Sequence, residues 1–311
     1  MSIFSYSHNA AMPAPCVGGV VTIGNFDGVH LGHQALLAET GRQAQALAIP
    51  SVAVTFDPPP SRLLRPELAG PLLLTLDDRA ALLQQHGVDH VLILQTSLAL
   101  LQLGAREFFE KILRDQLRVR SLVEGFNFGF GKNREGTIDV LKGLCAEQNV
   151  ALTLLPPREV LDAPVSSSRV RTELLAGRVE VVAALLGREY RISGIVGTGQ
   201  KRGATLGFPT ANLSAIATLI PGNGVYAVRA TTDGKTWPAV ANIGPNPTFG
   251  ENSRKVEAHL IGFGGDLYGK YLSVEFVKKI RETKKFGSVH ELAVQIGEDV
   301  RNARTVLGAF V

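Results

Sequence analysis

Short apolar runs alternating with amphipathic stretches through the first 165 residues constrain this chain more than any other feature of it. Residues 20–23, 51–56, 90–94, 121–124 and 151–155 read as buried strands. Between them, residues 34–48, 76–85, 105–117 and 138–148 read as helices. Strands that alternate with helices predict a parallel α/β sheet of Rossmann-like type, covered on both faces. Ligands of such sheets bind beyond the C-terminal ends of the strands. The segment of residues 24–33 falls at one of those ends.

The texture changes after about Gly187. Residues 190–196, 224–231, 236–243, 256–263 and 272–278 are short strand-like runs separated by Gly, Pro and Asn. Asp233-Gly234, between two of them, is a hairpin turn signal. Closely spaced strands without helices between them predict a small antiparallel β-barrel. A final helix over residues 288–307 carries Leu292, Ile296, Val300 and Ala303 at helical spacing. The expected division is an α/β domain over residues 1–187 and a barrel domain over residues 188–311. A chain of 311 residues is long enough for two separate cores.

Composition narrows the function classes. Apolar residues are 45% of the chain and the net charge is +4, with Lys and Arg spread along its whole length. The densest basic stretch, Lys278-Lys279-Ile280-Arg281 with Lys284-Lys285, reads as a solvated charged face, so no nucleic acid is expected as a partner. Cys16 and Cys145 stand apart, without metal-ligand spacing, and read as reduced cytoplasmic thiols. The N-terminus lacks a basic segment before an apolar one, so no secretory signal is expected. The most apolar window, residues 91–103, is broken by Gln95, Thr96, Ser97 and Gln102 and is too short to span a bilayer. A soluble cytoplasmic protein without a membrane partner is the expectation.

Two segments carry phosphate chemistry. The first is Gly24-Asn25-Phe26-Asp27-Gly28-Val29-His30-Leu31-Gly32-His33, set between an apolar strand and a helix. His30 and His33 are three residues apart at a helix start, which predicts imidazoles on one face, about 5–6 Å apart. Backbone N–H groups and the helix dipole favour an anion there. Gly24, Gly28 and Gly32 would let the backbone approach a phosphate without a Cβ in the way. A metal site is the alternative for a histidine pair; no third ligand of suitable spacing lies nearby, which favours phosphate. Ser166-Ser167-Ser168-Arg169-Val170-Arg171, ahead of a helix predicted from Thr172, reads either as ordinary helix caps or as a second phosphate clamp.

Those residues together resemble the nucleotidylyltransferase superfamily. The form Gly-Asn-Phe-Asp-Gly-Val-His-x-Gly-His is similar to the FMN adenylyltransferase domain of bacterial bifunctional FAD synthetases, and the resemblance runs from about Val20 to Arg304. It implies that His30 and His33 bind ATP phosphates and stabilise the transition state. Gly24, Asn25, Phe26 and Asp27 would line the nucleotide site, and Ser167, Ser168 and Arg171 would hold the triphosphate. Asn127 and Asp57 would lie on the flavin side. Pro59 stands where the family usually has a side-chain donor.

The second segment runs from Gly197 to Asn212. Gly199, Lys201 and Gly203 make a basic, glycine-rich loop, which lacks the Lys-Ser/Thr ending of a Walker loop. Gly207, Phe208 and Pro209 then lead to Thr210 and Asn212, whose hydroxyl and amide oxygen are hard ligands suited to Mg²⁺. This stretch resembles the riboflavin kinase signature, as do residues 241–249 and 256–260. By that resemblance, Gly199, Lys201, Gly203, Gly207, Phe208 and Pro209 bind nucleotide, and Thr210 and Asn212 hold Mg²⁺. Glu257 would be the general base; from strand alternation alone it reads as an exposed strand residue. Gln295, Asp299 and Arg304 would belong to a helix closing over the flavin.

The resemblance implies a bifunctional enzyme with Mg²⁺ as cofactor and ATP as co-substrate. It would convert riboflavin to FMN, then FMN to FAD and pyrophosphate, acting as a monomer or weak homo-oligomer. A chain with one working site, and a flavin or nucleotide sensor without catalysis, are the rivals.

Overall fold

The computed structural model describes residues 2–7, 10–198, 206–246 and 251–308. Two compact units result: Met1–Gly70 with Leu74–Ser166, and Pro71–Leu73 with Ser167–Val311.

The first unit holds strands β1 (Ser2–Tyr6), β2 (Val20–Ile23), β3 (Ser51–Asp57), β4 (His90–Gln95), β5 (Ser121–Gly125) and β6 (Ala151–Leu155). They form one sheet in the order β1-β4-β3-β2-β5-β6, and every neighbouring pair is parallel. Helices α1 (Leu31–Leu47), α2 (Pro60–Leu64), α3 (Leu76–Gln85), α4 (Leu98–Leu101), α5 (Ala105–Phe108) and α6 (Ile138–Glu147) supply the crossovers, α5 running on as a π-helical stretch, Phe109–Gln116. Successive strand residues feed opposite faces. Val52, Val54, Leu92 and Leu94 pack with Phe109, Leu113 and Leu141, whereas Ala53, Val91 and Ile93 pack with Leu37, Ala80 and Leu83. That two-sided burial is why these strands are uniformly apolar.

The four interior strands and the edge strand β6 fall where the apolar runs predict them. The edge strand β1 is invisible in the pattern because its sequence, Ser-Ile-Phe-Ser-Tyr, is short and half polar. The hairpin β7 (Glu159–Val160) and β8 (Ala163–Pro164) is too short for a periodicity signal.

In the second unit, α7 (Ser167–Leu175) and α8 (Val179–Leu186) lead into a closed antiparallel barrel. Its strands are β9 (Tyr190–Gly197), β10 (Ala211–Ser214), β11 (Gly224–Thr232), β12 (Lys235–Asn246), β13 (Glu251–Leu260) and β14 (Tyr271–Arg281), in the cyclic order β10-β13-β12-β11-β14-β9. By packing, α7 and α8 go with the barrel: Gly222 N–H donates to Leu174 O at 2.7 Å. The strand texture begins at Tyr190. Helix α7 starts at Ser167, five residues before the predicted start, so Ser167 and Ser168 form its first turn instead of preceding it.

Alternation along β11 sorts the barrel's faces. Tyr226, Val228 and Ala230 point inward with Ala239, Ala241 and Ala258, and the small side chains suit a narrow interior. Val225, Ala227 and Val240 point outward beneath α9 (Val289–Leu307), whose Ala303 and Val300 cover them. Asp233 and Gly234 both take positive φ, 48° and 73°, as a two-residue hairpin of matching twist requires. The barrel has six strands where five were expected. The sixth, β10, hides in the sequence because its four residues follow a glycine-rich run that reads as loop. Strand β13 also begins and ends earlier than residues 256–263.

Candidate active sites

Strand β2 lies between β3 on one side and β5 on the other, so the chain reverses its strand order there, and the crevice beyond the C-terminal ends is the switch point of the sheet. The β2–β5 ladder covers only Val20↔Ser121 and Val21↔Leu122. Past it, the buried Glu124 side chain enters the gap, and Ile23 N–H donates to its Oε1 at 2.8 Å. Burial pushes the Glu124 carboxyl well above the ordinary 4.5, and the Ile23 hydrogen bond only partly opposes this.

The segment after β2 is held in unusual backbone. Phe26 and Val29 sit at φ 47° and 40°, in the left-handed region that a β-branched residue rarely adopts. Both are fully buried and packed in the core with Leu37 and Val91, which over-determines the strain. Gln34 Nε2 also donates to Val29 O at 2.9 Å. His30 is the N-cap of α1, and its Nδ1 accepts the His33 N–H at 3.3 Å. That bond fixes the neutral tautomer of His30 and leaves Nε2–H as a donor.

The two imidazoles share a face, as their spacing predicts, but they stack with centroids 3.6 Å apart and planes inclined by 17°. The Phe26 ring meets His33 edge-on at 5.2 Å. Burial first, and the neighbouring His30 second, hold His33 well below the ordinary imidazole value, and among the described residues its enclosed Nδ1 has no hydrogen-bond partner. A Cβ on Gly24 would lie 3.2 Å from the Phe26 ring, and one on Gly32 would lie 3.2 Å from the His30 ring. Both are needed for packing within the segment.

The other residues that the sequence singles out for the first site divide. Phe26 and Asp27 are buried, the latter accepting Leu74 N–H at 3.3 Å. Asn127 is exposed on the turn after β5, where Arg134 Nη2 donates to its carbonyl at 3.3 Å. Asp57 ends β3 and is half-buried. Ser167, Ser168 and Arg171 lie on α7, in the second unit.

On the barrel, Glu257 occupies the middle of a row. It is the register partner of Asn212 on β10 and of Asn242 on β12, so the three side chains share the outward face of adjacent strands. Two residues along the same face, His259 donates from Nδ1 to Pro209 O at 2.7 Å, and its ring meets Phe208 edge-on at 5.6 Å. His259 thereby fixes the segment that delivers exposed Thr210 and then Asn212. An open cleft of about 610 Å³ begins at Asn212 and is lined also by Thr198, Ser214, Arg254 and Lys255. Gly199, Lys201 and Gly203 lie outside the described residues.

Two family models match the chain: FAD synthetase over residues 14–169 and riboflavin kinase over residues 186–307. The bifunctional riboflavin kinase/FMN adenylyltransferase of Pseudomonas fluorescens is 42% identical over 290 residues, covering 93% of both chains. The chain belongs to that bifunctional family. The Escherichia coli K12 relative of the same name is 36% identical, covering 99% of this chain and 98% of its own. A crystal structure from Streptococcus pneumoniae described as a macrolide-efflux protein has a TM-score of 0.87 at 31% identity, covering 97% of this chain and 98% of its own. No helix among the described residues is long and apolar enough to cross a membrane.

The enzyme therefore makes FMN and then FAD, with riboflavin, FMN and ATP as substrates. Both expected folds are present, the parallel sheet and the barrel with its C-terminal helix. Among the described residues no three His, Cys, Asp or Glu side chains converge on a metal. The Thr210 hydroxyl and Asn212 amide oxygen are instead a sparse pair of oxygen donors, which fits a Mg²⁺ that arrives with nucleotide phosphates. Sequence reasoning passed over Asn242, Glu124 and the buried Arg79. For Glu124 a signal existed, a carboxylate inside an otherwise apolar strand. Arg79 sits in an ordinary-looking polar helix start and gave none.

Proposed function

We propose that the two steps run on separate sites, adenylyl transfer on residues 1–187 and phosphorylation on residues 188–311. The observation that carries the kinase assignment is the row Asn212–Glu257–Asn242 across three strands. Glu257 accepts the proton of the riboflavin 5′-hydroxyl while that oxygen attacks the γ-phosphorus of ATP and ADP leaves. Thr210 and Asn212 hold Mg²⁺, which supplies charge neutralisation on the phosphates. Gly207, Phe208 and Pro209, with the basic cleft beside Asn212, serve the nucleotide, as do Gly199, Lys201 and Gly203 by their motif.

In adenylyl transfer, an oxygen of the FMN phosphate attacks the α-phosphorus of ATP and pyrophosphate leaves. The attacking phosphate is already ionised, so no general base is needed. His30 donates from Nε2, beside the stacked His33, to phosphate oxygens where negative charge gathers. Gly24, Asn25, Phe26 and Asp27 shape the nucleotide segment, and Asn127 and Asp57 face the flavin. The triphosphate role of Ser167, Ser168 and Arg171 rests on their motif. The enzyme works in the cytoplasm as a monomer or weak homo-oligomer.

A chromatographic assay of purified protein with ATP, Mg²⁺ and either riboflavin or FMN tests this reading. His33→Ala should abolish FAD formation and leave FMN formation intact. Glu257→Ala should stop FMN formation and still make FAD from added FMN. Loss of both activities in either folded variant would contradict two separate sites, and flavin binding without any product would mean a sensor.

A further inference from the structure

Arg79, in the first turns of α3, is 1% exposed and is the largest fully buried side chain among the described residues. A buried guanidinium needs partners for its donors and its charge. Here Nη1 donates to Asn25 O at 3.0 Å and Nη2 to Phe56 O at 2.9 Å, while Nε makes no hydrogen bond among the described residues. Burial lowers the affinity of Arg79 for its proton, and the carboxylates of Asp27 and Asp57 act against that.

The two carbonyls belong to different segments. The β2–β3 ladder ends at Ile23↔Val54. Asn25 lies beyond it on the way to His30, and Phe56 lies beyond it on the way to Asp57. Ladder bonds no longer tie these segments past Gly24, whose N–H donates to Val54 O at 3.0 Å. Thr55 Oγ1 adds a donor to Asn25 O at 3.3 Å. The planar fork of Arg79 spans the gap, with one arm on each side.

We propose that Arg79 is a positioning residue for adenylyl transfer, which sets the separation between the nucleotide segment after β2 and the flavin-side segment after β3. The inference rests on the assignment of those segments made above. One rigid side chain holding both carbonyls fixes the distance between the two substrates' supports. A reaction between two bound phosphates depends steeply on that distance, a misplacement of about 1 Å costing about a hundredfold in rate. A lysine at this place keeps a positive charge near Asp27 and Asp57 but lacks the fork.

The test is Arg79→Lys in the full chain, with initial rates of FAD formation over a grid of ATP and FMN concentrations. Arg79→Met, which also removes the charge, is the variant expected to compromise folding, so the lysine variant carries the decision. The expected result is a kcat for FAD formation lowered about tenfold to a hundredfold. Both KM values should stay within a few-fold, and FMN formation from riboflavin by the same molecules should be unchanged. A lysine variant with lowered thermal stability but wild-type kcat would mean a merely structural arginine and would overturn the proposal. His33→Ala separates the two readings: if it leaves FAD formation intact, the site assignment fails; if it abolishes FAD formation while Arg79→Lys retains full kcat, only the positioning role fails.

Discussion

Glu124 offers a perturbation whose size follows from its surroundings. The carboxyl is 1% exposed, accepts Ile23 N–H at 2.8 Å, and is driven by burial toward its protonated form. In the unfolded chain the same carboxyl ionises with a pKa of about 4.3. A folded-state pKa raised above the unfolded one gives stability that is complete below the unfolded value and is lost as pH rises toward the folded value. The loss runs at about 1.4 kcal/mol per pH unit over that window. Glu124→Gln has nearly the same shape, keeps an oxygen to accept the Ile23 N–H, and does not titrate. The variant should therefore gain on the wild type by about 1.4 kcal/mol per unit from about pH 4.3 upward, until the folded carboxyl ionises. Denaturant unfolding between pH 5 and 8 reads this. Far-UV circular dichroism follows both units, and the single tryptophan, Trp237 on β12, follows the barrel as an internal control. Parallel pH profiles for wild type and Glu124→Gln would refute the reasoning. Glu124→Leu is the complementary change. It strands a buried N–H at the end of β2 and should cost about 1–3 kcal/mol at about pH 4, a deficit that shrinks as pH rises because the leucine does not titrate, with weakened FAD formation.

Other perturbations have equally definite outcomes. Gly32→Ala would press a Cβ to within 3.2 Å of the His30 ring, so FAD formation should fall at least about tenfold while the kinase rate is unchanged. His33 is held below the ordinary imidazole value of 6.5, so the unfolded chain takes up a proton that the folded one refuses. Stability of the first unit should then fall on acidification below about pH 6.5, by about 1.4 kcal/mol per unit, and His33→Gln should remove that share of the slope. Asn212→Ala should raise the Mg²⁺ concentration needed for half-maximal FMN formation and leave FAD formation from FMN untouched; equal Mg²⁺ demand would remove Asn212 from the metal site. His259→Ala frees the Pro209 carbonyl and should raise the KM for ATP in the kinase step with a smaller change in kcat.

What local pattern can encode, the sequence encoded. Apolar runs of four to seven residues gave the interior strands of the sheet, because burial on both faces leaves little room for polar residues. The Asp233-Gly234 turn and closely spaced strand-like runs without helices between them gave the barrel. Pairs close in the chain were also legible: His30 and His33 share a face because of their spacing alone. Only the tertiary structure decided the rest, since it depends on residues that meet across the fold. The 3.6 Å stack of the histidines needed Phe26 in left-handed backbone and a glycine at 32. Glu257 reads as an ordinary strand residue until β10 and β12 place Asn212 and Asn242 on either side of it. Arg79 looks like a surface charge in the chain, and Glu124 shows only as a carboxylate inside an apolar strand. They become bridges between segments only because folding removes both from water and leaves each with backbone partners elsewhere in the chain.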